Sequence, residues 1–449
     1  MSSFAGLINA QNALSAQRYA LDVTGQNISN ANTDGYTRQR ADLAAVGPVS
    51  GVPAMYATQG ATTGVTVGGT SRLNDIVLQA RVRTEQDRNS QASTASAQLS
   101  DVQSLFNEPT DTGLAEQLNN LWNSWSAVDN NPSDASARSV VLQSAATVAA
   151  TLNSTSGALT DLASSATANL DQTVVDINTA ASSLAQINGA IAVGTATGAN
   201  TNSLADQRDV LLLKLANSVG AKSTLQPDGS ATVTLGGQSL VLGSVAAVVA
   251  RTSSNTLTVN SVAAGPAGGV AQGLIDTLST TLPAYTAKLD AVAAALAGTV
   301  NTAHQAGFDL SGTPGGQFFS GTTAATIAVA ITDPSKIAAS ATSGGNLGAG
   351  TAFALAAFGT KSGGADSSYA DLISTLASQV QRAGQAASVQ SAVVTSVNAQ
   401  AQSVSGVSLD EETSNMLIYQ RAYQASARVL TTVDETLDTL INRTGRVGL

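Results

Sequence analysis

The chain has 449 residues, no cysteine and a formal net charge of −10, and only 11% of its residues are charged. This length predicts two or three domains, and the lack of cysteine excludes disulfides, zinc–thiolate sites and thiol nucleophiles. The acidic balance argues against a nucleic-acid partner, and no run reaches the roughly 20 apolar residues of a membrane span, so no membrane partner is expected.

The first thirty residues are predicted to form a helix. An apolar residue recurs at every seventh position, which indicates a narrow apolar stripe made of Leu7, Leu14, Leu21 and Ile28. The helix is expected to end in the turn-forming run from Ser29 to Tyr36, where Gly35 can adopt a positive φ. Residues up to 69 then read as a coil-like connector with one short strand around Val65.

The middle of the chain alternates between helical and strand patterns. Apolar spacing predicts long antiparallel helices within 70–220, 267–306 and 365–399, with Gly157 as a candidate break in the longest. Alternating apolar residues on both sides of two glycines predict a β-hairpin within 221–266, and 307–364 reads as a second loop-and-strand region. The expected fold class is mainly α, a long antiparallel helical bundle with an inserted β-rich domain.

The last helix carries the sharpest pattern in the sequence. Its apolar residues alternate at intervals of three and four, and such a strict 3.5-residue repeat requires a helical partner with left-handed supercoiling. The stripe consists of Leu409, Met416, Tyr419, Tyr423, Leu430, Val433, Leu437 and Leu440. Ser408 and Glu411 form a capping box at its start, and we interpret the adjacent carboxylates Glu411 and Glu412 as capping and solvated groups.

Each end of the chain thus carries one striped helix, and we predict that the two terminal helices pair as a coiled coil. An isolated helix of this length is marginal in water, so each stripe needs the other or a neighbouring subunit. Ordinary core helices show similar stripes, and periodicity alone does not decide between these interpretations. The expected domains are a terminal helical assembly domain (1–69 and 400–449), a helical-bundle domain (70–220, 267–306 and 365–399) and a β-rich outer insert (221–266 and 307–364).

No catalytic, metal or cofactor site is expected. His304 is the only histidine, which excludes two-histidine metal centres, and it lies at a predicted helix end. The chain has no GxSxG elbow for a serine nucleophile. Trp122 and Trp125 follow the apolar pattern of a helix core. We therefore expect a structural protein and not an enzyme.

Two terminal runs resemble a known protein family. The run from Asn27 to Gln39 resembles the N-terminal signature of flagellar rod, hook and hook-associated proteins, and the signature is carried by Asn30, Ala31, Asn32, Thr33, Gly35, Tyr36, Arg38 and Gln39. The run from Ser405 to Glu412, with Tyr419 to Leu430 after it, resembles the end of the hook-associated protein 1 family. Hook and rod proteins usually have Phe-Lys after the glycine, so the residues here favour the hook-associated type.

The resemblance implies a structural subunit that joins hook to filament through self-assembly of its terminal helices. The partners it implies are copies of the chain, the hook protein, the second junction protein on the filament side, an export chaperone and the export apparatus. It implies an extracellular location at the hook–filament junction, reached without a cleaved signal peptide, and the first residues lack the basic leader of a Sec signal. The alternatives are a hook or rod subunit, or a secreted adhesin-like binding protein with a helical stalk.

Overall fold

The structure is a computed structural model and describes residues 3–46, 64–343 and 349–439. The helices of this part of the chain are α1 (Ser3–Ser29), α2 (Ile76–Phe106), α3 (Leu114–Asn130), α4 (Ala135–Thr197), α5 (Asn202–Val219), α6 (Gly269–Asp276), α7 (Leu282–Gln305), α8 (Gly350–Ala356), α9 (Ala365–Ser405) and α10 (Leu409–Asp438). The strands are β1 (Gln39–Val46), β2 (Gly64–Arg72), β3 (Lys222–Leu225), β4 (Ala231–Leu235), β5 (Gln238–Leu242), β6 (Val245–Ala246), β7 (Val249–Arg251), β8 (Leu257–Val259), β9 (Val262–Ala263), β10 (Phe319–Ser320) and β11 (Ala328–Val329).

Long helices packed side by side form the frame of the molecule. Helices α2 and α9 lie against each other, and the Gln390 side chain on α9 donates hydrogen bonds to the backbone oxygen and the carboxylate of Glu85 on α2. Helix α7 packs on the other end of α9, where the Tyr285 hydroxyl donates to Gln379 at 2.7 Å. The prediction of a mainly α, long-helix bundle is confirmed. No helix of the described segments is long and apolar enough to cross a membrane.

Helix α4 is the longest element, and it runs without interruption past the predicted break. It contains 63 residues, which corresponds to about 94 Å of helix. Gly157 lies within it, where a glycine costs about 1 kcal/mol relative to alanine. The buried residues Leu152 and Leu159 pack into the core on either side of that glycine, so tertiary packing outweighs the local preference and the expectation of a break is wrong.

Short strands dock onto α4 through asparagine side chains. Asn178 accepts a hydrogen bond from the backbone N–H of Val249 and donates to the same residue's carbonyl, and Asn188 does the same to Ala231. At the other end of α4, Arg138 donates to the carbonyl of Ile337 at 2.6 Å. The segments 221–266 and 307–343 therefore lie on separate halves of one long helix and do not form one joint layer.

The predicted hairpin is confirmed, and the region after the first helix differs from its prediction. Strands β4 and β5 pair antiparallel around Gly236 and Gly237, which both have a positive φ. Strands β1 and β2 also pair antiparallel, with an irregular register at Asp42, so the expected coil-like connector contains a hairpin that flanks the undescribed residues 47–63. The described residues of this second region, 307–343 and 349–364, contain mostly loops, the short pair β10–β11 and α8, and are less strand-rich than expected.

His304 is fully buried and holds a loop against the end of α7. Its Nε2 accepts a hydrogen bond from the backbone N–H of Ala338 at 2.8 Å, and its Nδ1 lies 2.8 Å from the carbonyl oxygen of Gly316. Because Nε2 is an acceptor, Nδ1 carries the proton and donates it to that carbonyl. Burial lowers the pKa of His304 below its ordinary value of 6.5, since the charged form is poorly solvated there.

We expect acid to weaken this contact. The His304 side chain takes up a second proton less readily in the folded state than in the unfolded state. The stability that neutral His304 contributes to the fold is therefore complete above pH 6.5 and declines as the pH falls toward the lower pKa of the folded state. Replacing His304 with Gln should lower the thermal midpoint at pH 7 by a few degrees, for a loss of about 1–3 kcal/mol. It should also flatten the change in midpoint between pH 7 and 5, measured by circular dichroism. Gln305→Ala is the control, because that neighbouring side chain is exposed, and an unchanged pH profile in His304→Gln would contradict this account.

Candidate assembly interface

The two ends of the described chain come together as an antiparallel helix pair. At one end of the pair Asn27 on α1 is hydrogen-bonded to Glu412 on α10. At the other end Gly6 lies against Val433, whose Cγ2 would be 3.8 Å from a β-carbon at that glycine. The two contacts are separated by the same number of residues on each helix, in opposite directions, so the helices run side by side in constant register. The predicted pairing of the terminal helices is confirmed.

The side of α10 that faces α1, its seam, follows the predicted spacing with one change at its start. The half-buried residues of the predicted stripe are Met416, Tyr419, Tyr423, Leu430, Val433 and Leu437. Leu409 is 51% exposed because α1 ends at Ser29, two residues beyond Asn27, and offers no surface opposite it. Glu412 takes the first buried position of the seam instead. Leu440 lies outside the described residues.

The buried face of α1 is wider than the predicted stripe. Leu7, Leu14, Leu21 and Ile28 are each half-buried, whereas the most deeply buried apolar side chains are the smaller Ala10, Ala16, Ala20 and Val23. The reason is that α1 has a second neighbour, the β1–β2 hairpin, which it contacts where the Tyr19 hydroxyl lies 2.6 Å from Thr70 Oγ1. Small residues allow the hairpin backbone to approach closely, and a heptad count of large residues does not reveal them.

Asn27 lies at the centre of the place where α1, the hairpin and α10 meet. Its Nδ2 donates to Glu412 at 2.9 Å and to the carbonyl of Gln39 at 2.8 Å. Its Oδ1 accepts from the backbone N–H of Gln39 and from the Tyr36 hydroxyl, both at 2.9 Å. The amide therefore makes all four hydrogen bonds that its donors and acceptors allow, and any shift of α1 along α10 would break at least one of them.

The buried carboxylate of Glu412 binds the N-terminal motif, which corrects its assignment as a solvated group. It is 2% exposed, and its Oε1 accepts from Arg38 Nε at 2.8 Å and lies 2.8 Å from Nη2 of the same guanidinium. Arg38 also donates to the exposed Glu411 at 2.6 Å, and its backbone N–H donates to the carbonyl of Ser405. Two nitrogens of the guanidinium thus share one carboxylate oxygen of Glu412, and the other oxygen accepts from Asn27, so the carboxylate is held from two sides. The start of α10 is thus bound to the N-terminal motif by side chains, and the end of α9 is bound to it by the backbone.

A second ionic cluster joins the hairpin to the helical bundle. Arg72, at the end of β2, lies 2.8 Å from Asp206 and 2.6 Å from Asp209 on α5, and it donates to Thr37 at 3.0 Å. Burial raises the pKa of Asp206, and the neighbouring Arg72 opposes this shift. Burial, with Asp206 and Glu412 close by, raises the pKa of Tyr36 to about 12. The Tyr36 hydroxyl therefore stays protonated and keeps donating to Asn27 at neutral pH.

The remaining motif residues shape the turn between the helix and the hairpin. Asn30 donates to the carbonyl of Gln26 at 2.9 Å, and the Thr33 N–H donates to the carbonyl of Asn30. Gly35 has a φ of +78° and lies against Val210 on α5, where a β-carbon would clash, so glycine is required for both reasons. Ala31 and Asn32 line a cleft between this turn and α2, α5 and the α9–α10 connection.

Of the residues that bind the two ends together, Arg38 belongs to the predicted motif, whereas Asn27 and Glu412 were given no role in joining the ends. Asn27 and Glu412 lie 385 residues apart, and neither belongs to an apolar stripe or a metal-ligand pattern. The available signal was the charge complement between Arg38 in the N-terminal motif and the acidic start of α10. Arg72, Asp206 and Asp209 gave no comparable signal, because their proximity depends on how the hairpin folds onto α5.

The terminal pair, α1 with α10, lies outside the apolar core of the bundle. Within the described residues, the continuous apolar core contains side chains from α2–α9 and none from α1, β1, β2 or α10. The side chain of α10 that is fully buried is the charged Glu412. The pair is therefore held to the bundle by polar contacts at its base, and its large apolar side chains stay partly open to solvent.

Three families of known proteins match this chain. Residues 99–319 match the helical domain of flagellar hook-associated protein FlgK. Residues 398–443 match the C-terminal region of flagellar basal body rod FlgEFG proteins, and residues 7–37 match the flagella basal body rod protein family. The two rod-type matches thus cover most of α1 and α10, and the FlgK match covers much of the bundle.

Sequence similarity to known proteins extends over nearly the whole chain. Flagellar hook-associated protein 1 of Bacillus subtilis is 34% identical over an alignment 504 positions long, which spans 100% of this chain and 99% of the relative. The Escherichia coli protein of the same name is 27% identical and covers 97% of this chain and 98% of its own length. The solved structure of the flagellar hook junction protein FlgK from Burkholderia pseudomallei has 31% identity and a TM-score of 0.49, over 54% of this chain and 46% of that one.

Removing the buried carboxylate should detach the terminal pair from the bundle. Glu412→Ala leaves Asn27 and Arg38 without their shared acceptor, which should destabilise the contact between the terminal pair and the bundle by about 3 kcal/mol. We expect faster amide hydrogen exchange in residues 3–46 and 409–439, while exchange in α4 and α7 stays unchanged. The matched control is Glu411→Ala, whose side chain is 62% exposed and should matter little. Equal effects of the two substitutions would show that burial of Glu412 has no special role.

Proposed function

The chain belongs to the flagellar hook-associated protein 1 family, and we propose that it is the structural subunit that joins the flagellar hook to the filament through self-assembly of its terminal helices. A flagellar structural role follows from the family. The position at the junction and the use of α1 and α10 for assembly are the proposed part.

The incompletely buried seam of the terminal pair is the observation that carries this proposal. Met416, Tyr423 and Leu430 face α1 but remain half-exposed. Two helices side by side cannot enclose such side chains, because each helix covers only one flank of the other. Neighbouring copies with the same pair would cover the open flanks, so the pair becomes fully packed only in an assembly.

The polar junction at the base of the pair supports the same role. Asn27, Arg38 and Glu412 set the direction in which α1 and α10 leave the bundle, and Arg72 with Asp209 fixes the hairpin to α5. Hydrogen-bonded charges impose one register where apolar contacts would tolerate sliding. A subunit that repeats in an assembly needs such a fixed angle between its assembling part and its outer part.

We propose that the partners are further copies of the chain, the hook protein and the second junction protein on the filament side. An export chaperone and the flagellar export apparatus would act before assembly, and the final location would be the extracellular hook–filament junction, reached without a cleaved signal peptide. We propose no enzymatic role, and His304, the only histidine, is committed to two backbone groups. The family supports a flagellar, surface-exposed location.

A charge in the seam should abolish assembly. Leu430→Asp places an unpaired carboxylate against α1, which costs several kcal/mol if it stays buried, so we expect the variant to be absent from isolated flagella. Leu430→Met is the control, because it keeps an apolar side chain of similar volume. Immunoblots of purified flagella measure incorporation, and circular dichroism checks that both variants keep the helical bundle. Normal incorporation of Leu430→Asp would contradict the role given to α10.

Immunogold labelling tests the position within the flagellum. Label restricted to the boundary between hook and filament is the expected result. Label along the hook or within the rod would instead favour a hook or rod subunit of the same family. Label on the cell surface away from flagella would favour an adhesin-like protein and would overturn the proposal.

A further inference from the structure

The cleft beside the motif turn has the size of a binding site. Its volume is about 830 Å³, and ligand sites in proteins usually measure roughly 300–1,000 Å³. The motif turn, α2, α5 and the α9–α10 connection form its walls. We call it the Arg83 cleft, after the charged residue that α2 contributes to it.

Arg83 brings into this cleft a positive charge that the described chain does not balance. Its side chain is half-buried and forms no hydrogen bond or ion pair with any described residue. Asp209 also lines the cleft, but its carboxylate oxygens lie 2.6 Å from Arg72 and 2.7 Å from Arg208. Burial lowers the pKa of Arg83, because the charged form is poorly solvated there. The cleft therefore holds a cation without a counter-ion among the described residues.

The rest of the lining suits an extended peptide segment. Four aliphatic residues contribute to it, namely Val82, Val210, Leu213 and Val407. Four amide side chains also line the cleft and make no hydrogen bond to any residue that the structure describes, and these are Asn32, Gln79, Asn398 and Gln402. A side-chain amide has the donors and acceptors that a peptide backbone requires, and the aliphatic residues can pack against apolar side chains.

We propose that the Arg83 cleft binds an extended segment of a different protein, with a carboxylate of that segment paired to Arg83 and aliphatic residues on either side of it. The proposal rests on the proposed function and deepens it, because the partner is a neighbouring subunit in the flagellum. A guanidinium can bind a carboxylate through two parallel hydrogen bonds, which would fix the position of the segment in the cleft.

The charges of the cleft favour a carboxylate over a phosphate. Glu411 and Asp34 also line the cleft. Glu411 is bound by Arg38 at 2.6 Å, whereas Asp34 is exposed and forms no ion pair with any described residue. A phosphate group with a charge of about −2 would exceed the single free charge of Arg83 and would be repelled by Asp34. A carboxylate matches that charge.

The acidic residues of the chain itself do not fit such a segment. Most of those that the structure describes outside helices already accept hydrogen bonds within the chain, and these are Asp42, Asp75, Glu108, Asp134, Asp228, Asp309 and Asp333. Asp34 and Asp111 remain, and their neighbours in sequence are threonine and glycine, with no aliphatic residue on either side. The partner is therefore a different protein and not a second copy.

Carbodiimide coupling tests this contact in assembled flagella. A carbodiimide joins a lysine amine to a carboxylate that it touches, and Arg83→Lys keeps the positive charge at this position. In isolated flagella that contain this variant, we expect mass spectrometry to find residue 83 joined to an aspartate or glutamate of another protein, beside aliphatic residues. Arg81→Lys is the matched control, because Arg81 is exposed on the same helix, and it should form this link several-fold less.

Each outcome of the coupling decides the proposal. A link from residue 83 to Asp209 or Asp34 of the same chain would overturn it, because Arg83 would then have an internal partner. A link to a second copy would overturn the choice of a different protein. Incorporation of Arg83→Lys without any such link would also overturn it, yet it would leave the structural role intact. Absence of the natural chain from flagella would overturn the proposed function and this proposal with it.

Arginine modification provides a second measurement, on the natural chain. Phenylglyoxal reacts with accessible guanidinium groups, so a bound carboxylate segment should protect Arg83. We expect Arg83 to react several-fold more slowly in isolated flagella than in the purified chain, while the rate at Arg81 changes little. An unchanged rate at Arg83 would contradict the proposal. Equal protection of Arg81 would indicate that this whole face of α2 is covered, and it would also overturn a specific site.

Removing the charge should affect folding and assembly differently. Arg83→Met keeps an unbranched apolar chain and removes a cation that lacks a counter-ion, so the thermal midpoint of the purified chain should stay the same or rise. Incorporation into flagella should nevertheless fall several-fold, because the carboxylate of the partner would be buried without a counter-ion. A lower midpoint would show that Arg83 serves the fold itself, and undiminished incorporation would show that no partner needs its charge. Either result would overturn the proposal.

Discussion

The position of α1 relative to α10 depends on one buried carboxylate, that of Glu412. Glu412 is removed from water and shared by Asn27 on α1 and Arg38 on the motif turn, and a buried charge of this kind is tolerated only while its partners stay in place. An apolar contact at the same position would allow α1 and α10 to slide past each other. The carboxylate permits one register and, through Arg38 and Ser405, one angle at which α10 leaves the bundle.

The same solution for joining helices to strands recurs along the chain. Four asparagines on helices each hydrogen-bond both the N–H and the carbonyl of one other residue. The pairs are Asn27 with Gln39, Asn178 with Val249, Asn188 with Ala231 and Asn301 with Phe319. The side-chain amide has the same donor and acceptor as a peptide group, so it satisfies backbone groups that a short strand leaves open. Strands too short to be stable alone are held in this way.

Sequence periodicity predicted the helices and the seam of α10 because those features repeat locally. It did not predict the roles of Glu412 and Asn27, since a buried carboxylate on a helix start looks like a capping group until the opposite end of the chain is placed beside it. The break expected at Gly157 failed because packing over the whole of α4 outweighs one residue's preference. Leu409 matches the repeat, but α1 has already ended where it would pack.

Helix α4 extends from the turn around Tyr36 at one end of the bundle to the loop held by His304 at the other. Its base, near Asn188, lies beside the cluster that holds the motif turn, where Ser183 and Ile187 face Tyr36 across a groove. Its far end carries Arg138 and the loop fixed by His304. Because α4 is long, a tilt of a few degrees at its base would displace the far loop by several ångströms. The hydrogen bonds near the base therefore set how precisely the far loop is positioned relative to the terminal helix pair.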